Sequence, residues 1–271
     1  MFTSVIIAVI LLICTPFILA RFVDLPKNVK LLFVAQPLVM SASPVIVFIG
    51  GILSTKLAAD PKLATLPLTL MILGVAGASI PAAMLAKYKG RKFATLTGFA
   101  IAFIASLLAI TATQKSSFEL FMLASLFFGF SASFVQQLRF AAIESTENPN
   151  DVPKILSVLM LSGLFAAFLG PEVAVVGMNI IDSPHGFTGS FTILSVLIVI
   201  ATLVILNFKN PTMTAEKELS GSRPFKTIVK QPIFLVALLT GAIGYALMSY
   251  LMTATPLSMH QMQGHSLEHT K

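Results

Sequence analysis

The sequence predicts an all-α protein, a polytopic bundle of membrane helices, and two observations carry that prediction. Apolar residues supply 56% of the 271-residue chain and charged residues only 11%. A soluble domain carries about a quarter charged residues, so a water-soluble core of this size leaves apolar surface with nowhere to hide. The apolar residues are also gathered into eight long runs, close to the roughly 20 residues that cross a bilayer as a helix. None alternates apolar with polar residues as a barrel strand does. Within lipid, only a helix or a closed barrel satisfies its own backbone.

Taken in order, the first run is 2–20. No positive segment precedes it and no small-residue cleavage site ends it, while Arg21, Lys27 and Lys30 follow. It reads as an uncleaved anchor, with a misplaced start codon as the alternative. Run 29–53 holds Pro37 and Pro44, which open a helix locally. Run 64–86 ends on the tight basic turn Lys87-Tyr88-Lys89-Gly90-Arg91-Lys92. Runs 93–113 and 118–143 are separated by a short polar link, and the stretch ESTENPNDVP at 144–153 stops the second of them. Run 155–177 contains Pro171, and a link with Asp182, Pro184 and His185 leads to run 187–208. The longest link, 209–232, is polar and charged, as a boundary between two bundles is. Run 233–259 is followed by a tail carrying His260, His265 and His269.

Charge orients the bundle. The net charge is +7, but the basic residues lie between apolar runs, and no aromatic and basic patch speaks for nucleic acid. With the turn 87–92 placed in the cytoplasm, thirteen of the 18 Lys and Arg residues fall on that side, four fall outside and Arg139 lies within a helix. The positive-inside rule asks for that bias. Small residues recur at every fourth position in Gly74, Ala78 and Ala82, in Gly129 and Ser133, and in Gly163, Ala167 and Pro171. Such stripes let helix backbones approach where lipid gives no hydrophobic drive. The single cysteine, Cys14, lies in an apolar run and excludes an intrachain disulfide. It reads as a small buried or lipid-facing residue.

The segment Ala83 to Lys92, AMLAKYKGRK, resembles the loop signature of the major facilitator superfamily, of Gly-x-x-x-Asp-Arg-x-Gly-Arg-Arg type. Gly90, Arg91 and Lys92 match it; Ala83 stands for the first Gly and Lys87 for the Asp. Ala166-Ala167-Phe168-Leu169-Gly170-Pro171 is similar to the Gly-x-x-x-Gly-Pro signature of the family's antiporters, with Ala166 for the first Gly. Met40-Ser41-Ala42-Ser43-Pro44 pairs with Met252-Thr253-Ala254-Thr255-Pro256, a trace of the parallel repeat that relates the family's two six-helix halves. Residues 1–27 read as an anchor helix and basic linker; the resemblance implies a first six-helix bundle over 28–208, a cytoplasmic linker over 209–231, and the first helix of a second bundle with an outer tail over 232–271. On this reading the chain is truncated at its C-terminus. The resemblance further implies a secondary transporter in a bacterial inner membrane, with gating residues Gly90, Arg91 and Lys92. It would move a small solute by alternating access, with proton-coupled antiport as an option. It implies no cofactor and no enzymatic role.

Polar groups inside a membrane are costly and therefore mark function. Arg139, with Gln136 on its helix face and Gln137 adjacent, reads either as a substrate or gating contact or as a side chain snorkelling to the interface. It follows Ser117 by 22 residues, roughly 33 Å of helix. Glu172 reads either as a proton carrier or as an interfacial carboxylate, since it follows Lys154 by 18 residues, roughly 27 Å. Gln36, Ser41 and Ser43, with Thr253 and Thr255, are candidates for a substrate pathway; the alternative is that these hydroxyls bond their own helix. The tail histidines leave open a membrane metal-binding protein, although no His-Glu-x-x-His motif is present. A non-transporting accessory or dimerising subunit is the other alternative. The partners expected are the lipid bilayer, a small-molecule substrate and protons, with no nucleic acid.

Overall fold

The computed structural model describes residues 2–21, 25–58, 60–146, 148–211 and 225–259. All regular elements among them are helices: α1 (Phe2–Leu19), α2 (Lys27–Met40), α3 (Ala42–Leu57), α4 (Leu66–Lys89), α5 (Arg91–Lys115), α6 (Phe118–Gln136), α7 (Leu138–Ile143), α8 (Val152–Gly177), α9 (Thr188–Leu206), α10 (Phe225–Val229) and α11 (Pro232–Leu257). Seven segments among the described residues are long and apolar enough to cross a membrane. Two of them are composites of two α-helices, α2 with α3 as Lys27–Leu57 and α6 with α7 as Phe118–Ile143. The apolar α1 is shorter. All eight apolar runs therefore form helix, in the order expected.

Both composite spans are interrupted, for different reasons. Pro44 has no N–H to give the carbonyl of Met40, and its ring crowds that carbonyl. Met40 is the last residue of α2, and Ser41 turns its hydroxyl back onto the Leu38 carbonyl at 2.8 Å. The break before α7 has no proline. There the ladder tightens to i−3 bonds, from Gln137 N–H to the Phe134 carbonyl at 3.1 Å and from Phe140 N–H to the Gln137 carbonyl at 3.0 Å.

The first span is the centre of the bundle: 72% of its apolar window is buried, against 0% for α11. Helix α2 packs on α8 and α9, α3 on α8, and α5 on both α6 and α9. Phe33 meets Phe165 edge-on at 6.1 Å, and Phe121 meets Phe191 at the same distance. Edge-on rings suit the aromatic quadrupole. Helix α1 lies against α8 and α2, and its Cys14 is exposed on the outer face.

Helices α4 and α6 approach most closely. A Cβ on Gly74 would run into the Leu126 carbonyl, and one on Gly129 into the Met71 carbonyl. Beside this crossing Ser133 Oγ donates to the Val75 carbonyl at 2.5 Å. Interhelical bonds of this kind also tie α5 to α9, where the Thr113 and Thr188 hydroxyls lie 2.7 Å apart, and α9 to α8 through Ser190 Oγ and the Ala174 carbonyl at 2.7 Å. Each is worth about 0.6 kcal/mol in a membrane. Gly163, in another of the small-residue stripes, has nothing within 4 Å of its would-be Cβ and makes no such contact.

Candidate functional site

A cleft of about 90 Å³ lies between α2–α3 and α6–α7. Its polar lining is Gln36 and Ser43 from one wall and Ser131, Gln136 and Arg139 from the other; Val39, Met40, Phe128 and Val135 are among the apolar side chains between them. Gln36 lies nine residues into the span that starts at Lys27, roughly 14 Å from the end that carries the basic turn. The break at Ser41 sets Gln36 and Ser43 on one wall, and Gln136 and Arg139 straddle the break before α7.

The groups in this cleft are under-committed. Gln36 Nε2 has only the Met40 thioether at 3.9 Å, and its Oε1 is buried with no partner among the described residues. A buried acceptor left unpaired costs about 1–3 kcal/mol. Arg139 is exposed, and its Nε donates to the Gln136 carbonyl at 3.2 Å. Neither ion pair seen among the described residues, Arg91 with Glu144 and Lys154 with Asp151, involves it. The cleft thus presents guanidinium donors, two primary amides and two hydroxyl-bearing residues over an apolar surface, with no carboxylate in its lining.

The other expected residues go elsewhere. Ser41 is fully buried and bonds its own helix rather than lining the cleft. Gln137 Oε1 accepts from Arg91 Nη1 at 3.5 Å, away from the cleft. Thr255 lines a separate, largely apolar groove between α3, α8 and α11. The side chain of Thr253 and the residues His260, His265 and His269 lie outside the described residues. Among those that are described, no three His, Cys, Asp or Glu side chains gather as metal ligands. Glu172 is buried, 7% exposed, within α8, and accepts from the Ser4 hydroxyl of α1 at 2.9 Å.

The basic turn is a junction. Gly90 has φ of 85°, a left-handed value that suits glycine, and Asn210 packs where a Cβ would stand. Arg91 holds Glu144 by two bonds, Nε to Oε2 at 2.8 Å and Nη2 to Oε1 at 2.6 Å, with the two side chains 20% and 27% exposed. Its guanidinium also lies 5.8 Å from the centre of the Phe140 ring. Lys92 Nζ donates to the Leu206 carbonyl at 2.5 Å, a cation at the C-terminus of α9. The Lys92 N–H donates to Asn210 Oδ1 at 2.8 Å, which caps the start of α5. Next to it, Asn28 Nδ2 donates to the Lys209 carbonyl at 2.8 Å and Lys209 N–H returns a bond to Asn28 Oδ1 at 3.2 Å.

Glu144, Asn28, Asn210 and Ser131 were not singled out by the sequence. Glu144 opens a stretch that reads as an ordinary loop. The two asparagines flank helices, where such residues usually serve as local caps. The one available signal was Arg91, a cation in the family-like turn that needs an anionic partner.

With this geometry in hand, comparison with known proteins defines the class. The family model of the Major Facilitator Superfamily matches residues 31–268. The chain is also 34% identical over 245 residues to the riboflavin transporter RfnT of Brucella anthropi, a match that takes in 90% of this chain and 61% of that protein. The chain belongs to the Major Facilitator Superfamily and is a multi-pass membrane protein. It spans about three fifths of the length of this curated relative.

Proposed function

We propose that this chain is part of a secondary transporter that carries riboflavin, or a solute of the same flavin class, across a bacterial inner membrane by alternating access. The observation that carries the reading is the cleft between α2–α3 and α6–α7, with unspent hydrogen-bonding groups of Gln36 and Arg139 set in an apolar wall. Most small-molecule sites combine an apolar lining with a few polar groups that fix orientation. A flavin has a largely apolar ring body and a polar edge, so the two match in kind. The relative's name supplies the particular solute. In this reading 28–208 is the first bundle, 209–231 the linker, and 232–271 the start of the second bundle. Ser41, Gln137 and Thr255 then support the pathway from its flanks, and Gly90, Arg91 and Lys92 act in gating. A transporter is also preferred to an enzyme because a site for bond chemistry calls for a nucleophile, base or metal cluster.

Proton-coupled antiport is favoured by a second observation. Glu172 follows Pro171 in the antiporter-like stretch and is buried under α1 with Ser4. A carboxylate in such surroundings is placed to exchange a proton with conformation.

The test is uptake of labelled riboflavin by a riboflavin-requiring bacterium without a flavin importer of its own, expressing the intact gene product. Accumulation above the empty-vector control is expected. Arg139→Ala, present in the membrane at normal level, is expected to lower uptake at least about tenfold, the loss for one charged hydrogen bond. No uptake by the wild type in the membrane would overturn the flavin assignment, and unchanged uptake by Arg139→Ala would leave Arg139 a snorkelling residue.

A further inference from the structure

We infer that Gln36 reads the cyclic imide edge of the transported ring, the –CO–NH–CO– group, and is a specificity-determining residue of this site. The inference rests on the flavin reading above and specifies which edge of the solute enters the cleft.

The starting point is the state of the Gln36 side chain. Its Oε1 is buried beside the cleft with no hydrogen-bond donor among the described residues, while its Nε2 has only a sulfur at 3.9 Å. A thioether is a weak acceptor that a stronger one displaces at little cost. The Gln36 amide lines the cleft with its Oε1 turned out of reach of water, so a bound ring meets acceptor and donor together once the amide rotates. Arg139 adds further N–H donors from the opposite wall. Rotated in this way, the set reads donor and acceptor from Gln36 and donor from Arg139. Its complement is acceptor, donor, acceptor, and a cyclic imide presents that order in one rigid plane. The ring N–H would donate to Gln36 Oε1, one ring carbonyl would accept from Gln36 Nε2, and the other would face Arg139.

The remaining lining fits the rest of such a ring. Val39, Met40 and Val135 offer apolar surface, and no carboxylate lines the cleft to repel the two imide carbonyls. A site that hydrogen-bonds a substrate N–H rejects the analogue that lacks it far more strongly than an apolar pocket rejects a missing methyl, because its own buried group is left unpaired. Uracil-type nucleosides carry the same imide edge, so the chemistry is shared between two sources.

The experiment measures uptake of riboflavin, N3-methylriboflavin and uridine by cells expressing the intact protein, as wild type and as Gln36→Met and Gln36→Glu, with membrane levels checked for each. The wild type is expected to take up riboflavin at least about tenfold better than N3-methylriboflavin. Gln36→Met, nearly isosteric and apolar, is expected to bring that ratio close to one by losing riboflavin rather than by gaining the analogue. Gln36→Glu keeps an acceptor for the ring N–H and is expected to retain part of the discrimination. Equal uptake of the two flavins by the wild type would overturn the inference while the flavin reading stood. So would a ratio that Gln36→Met leaves unchanged. Uptake of uridine but not of riboflavin would overturn the flavin reading and leave the imide assignment standing.

Discussion

Replacing Gly129 by alanine drives α4 and α6 apart, and its cost follows from the backbone around it. The new Cβ meets the carbonyl group of Met71, with the Gly74 Cα 3.0 Å away. These are main-chain atoms, so no rotamer change relieves the contact and the helices must separate by roughly 1 Å to restore ordinary packing distance. Overpacking of this kind costs about 1–3 kcal/mol. Separation also strains the Ser133 bond to the Val75 carbonyl, worth about 0.6 kcal/mol. A total loss of roughly 2–4 kcal/mol is expected. Gly163→Ala is the matched control. It also lies in a stripe of small residues, but its Cβ meets nothing within 4 Å. There, removing a helix-interior glycine is expected to gain roughly 0.5–1 kcal/mol. Equilibrium unfolding of the purified protein in mixed micelles, titrated with a denaturing detergent and followed by far-ultraviolet circular dichroism, reads both. A Gly129→Ala protein as stable as Gly163→Ala would refute the claim that close backbone approach holds α4 to α6.

Two further perturbations separate roles that the structure assigns. A double-mutant cycle on Arg91→Ala and Glu144→Ala should return a coupling of about 1–3 kcal/mol, as for a charged, bidentate bond; a coupling near zero in the same unfolding assay would mean the pair is incidental. Glu172→Gln should abolish accumulation driven by an imposed pH gradient while preserving exchange of labelled for unlabelled solute. Retention of gradient-driven accumulation would remove Glu172 from coupling.

The helices were legible because hydrophobic run length is a strong signal and a bilayer permits few alternatives. The break at Ser41 was half legible, since Pro44 marks it. The break at Gln137 was not, because nothing in its composition distinguishes it from an ordinary helical turn. Pairs of neighbours show the same limit for the cleft. Gln136 and Gln137 are one type of residue, and about 100° of helical rotation sends the first to the cleft and the second to Arg91. Ser41 and Ser43 part in the same way, one spent on its own helix and one lining the cleft. Sequence shows that a polar residue lies at membrane depth, but its partner depends on helix rotation and on chains distant in sequence. The stripes of Gly74 and Gly129 marked a close crossing and Gly163 did not, because spacing alone does not reveal which glycine faces another helix.

The reciprocal amide bonds between Asn28 and Lys209 bear on how the protein is made. The two residues are 181 positions apart. At roughly 5–20 residues per second of synthesis, that spacing corresponds to about 10–35 s between the emergence of the one and the arrival of the other. Through that interval Asn28 waits for the Lys209 backbone, and the Lys92 N–H waits for Asn210. The fastening of the bundle is therefore among its last assembly steps. A nascent chain stalled before residue 209 holds its helices inserted but its basic end unlatched, with Asn28, Lys92 and the α9 exit exposed together to the quality-control machinery on that side of the membrane.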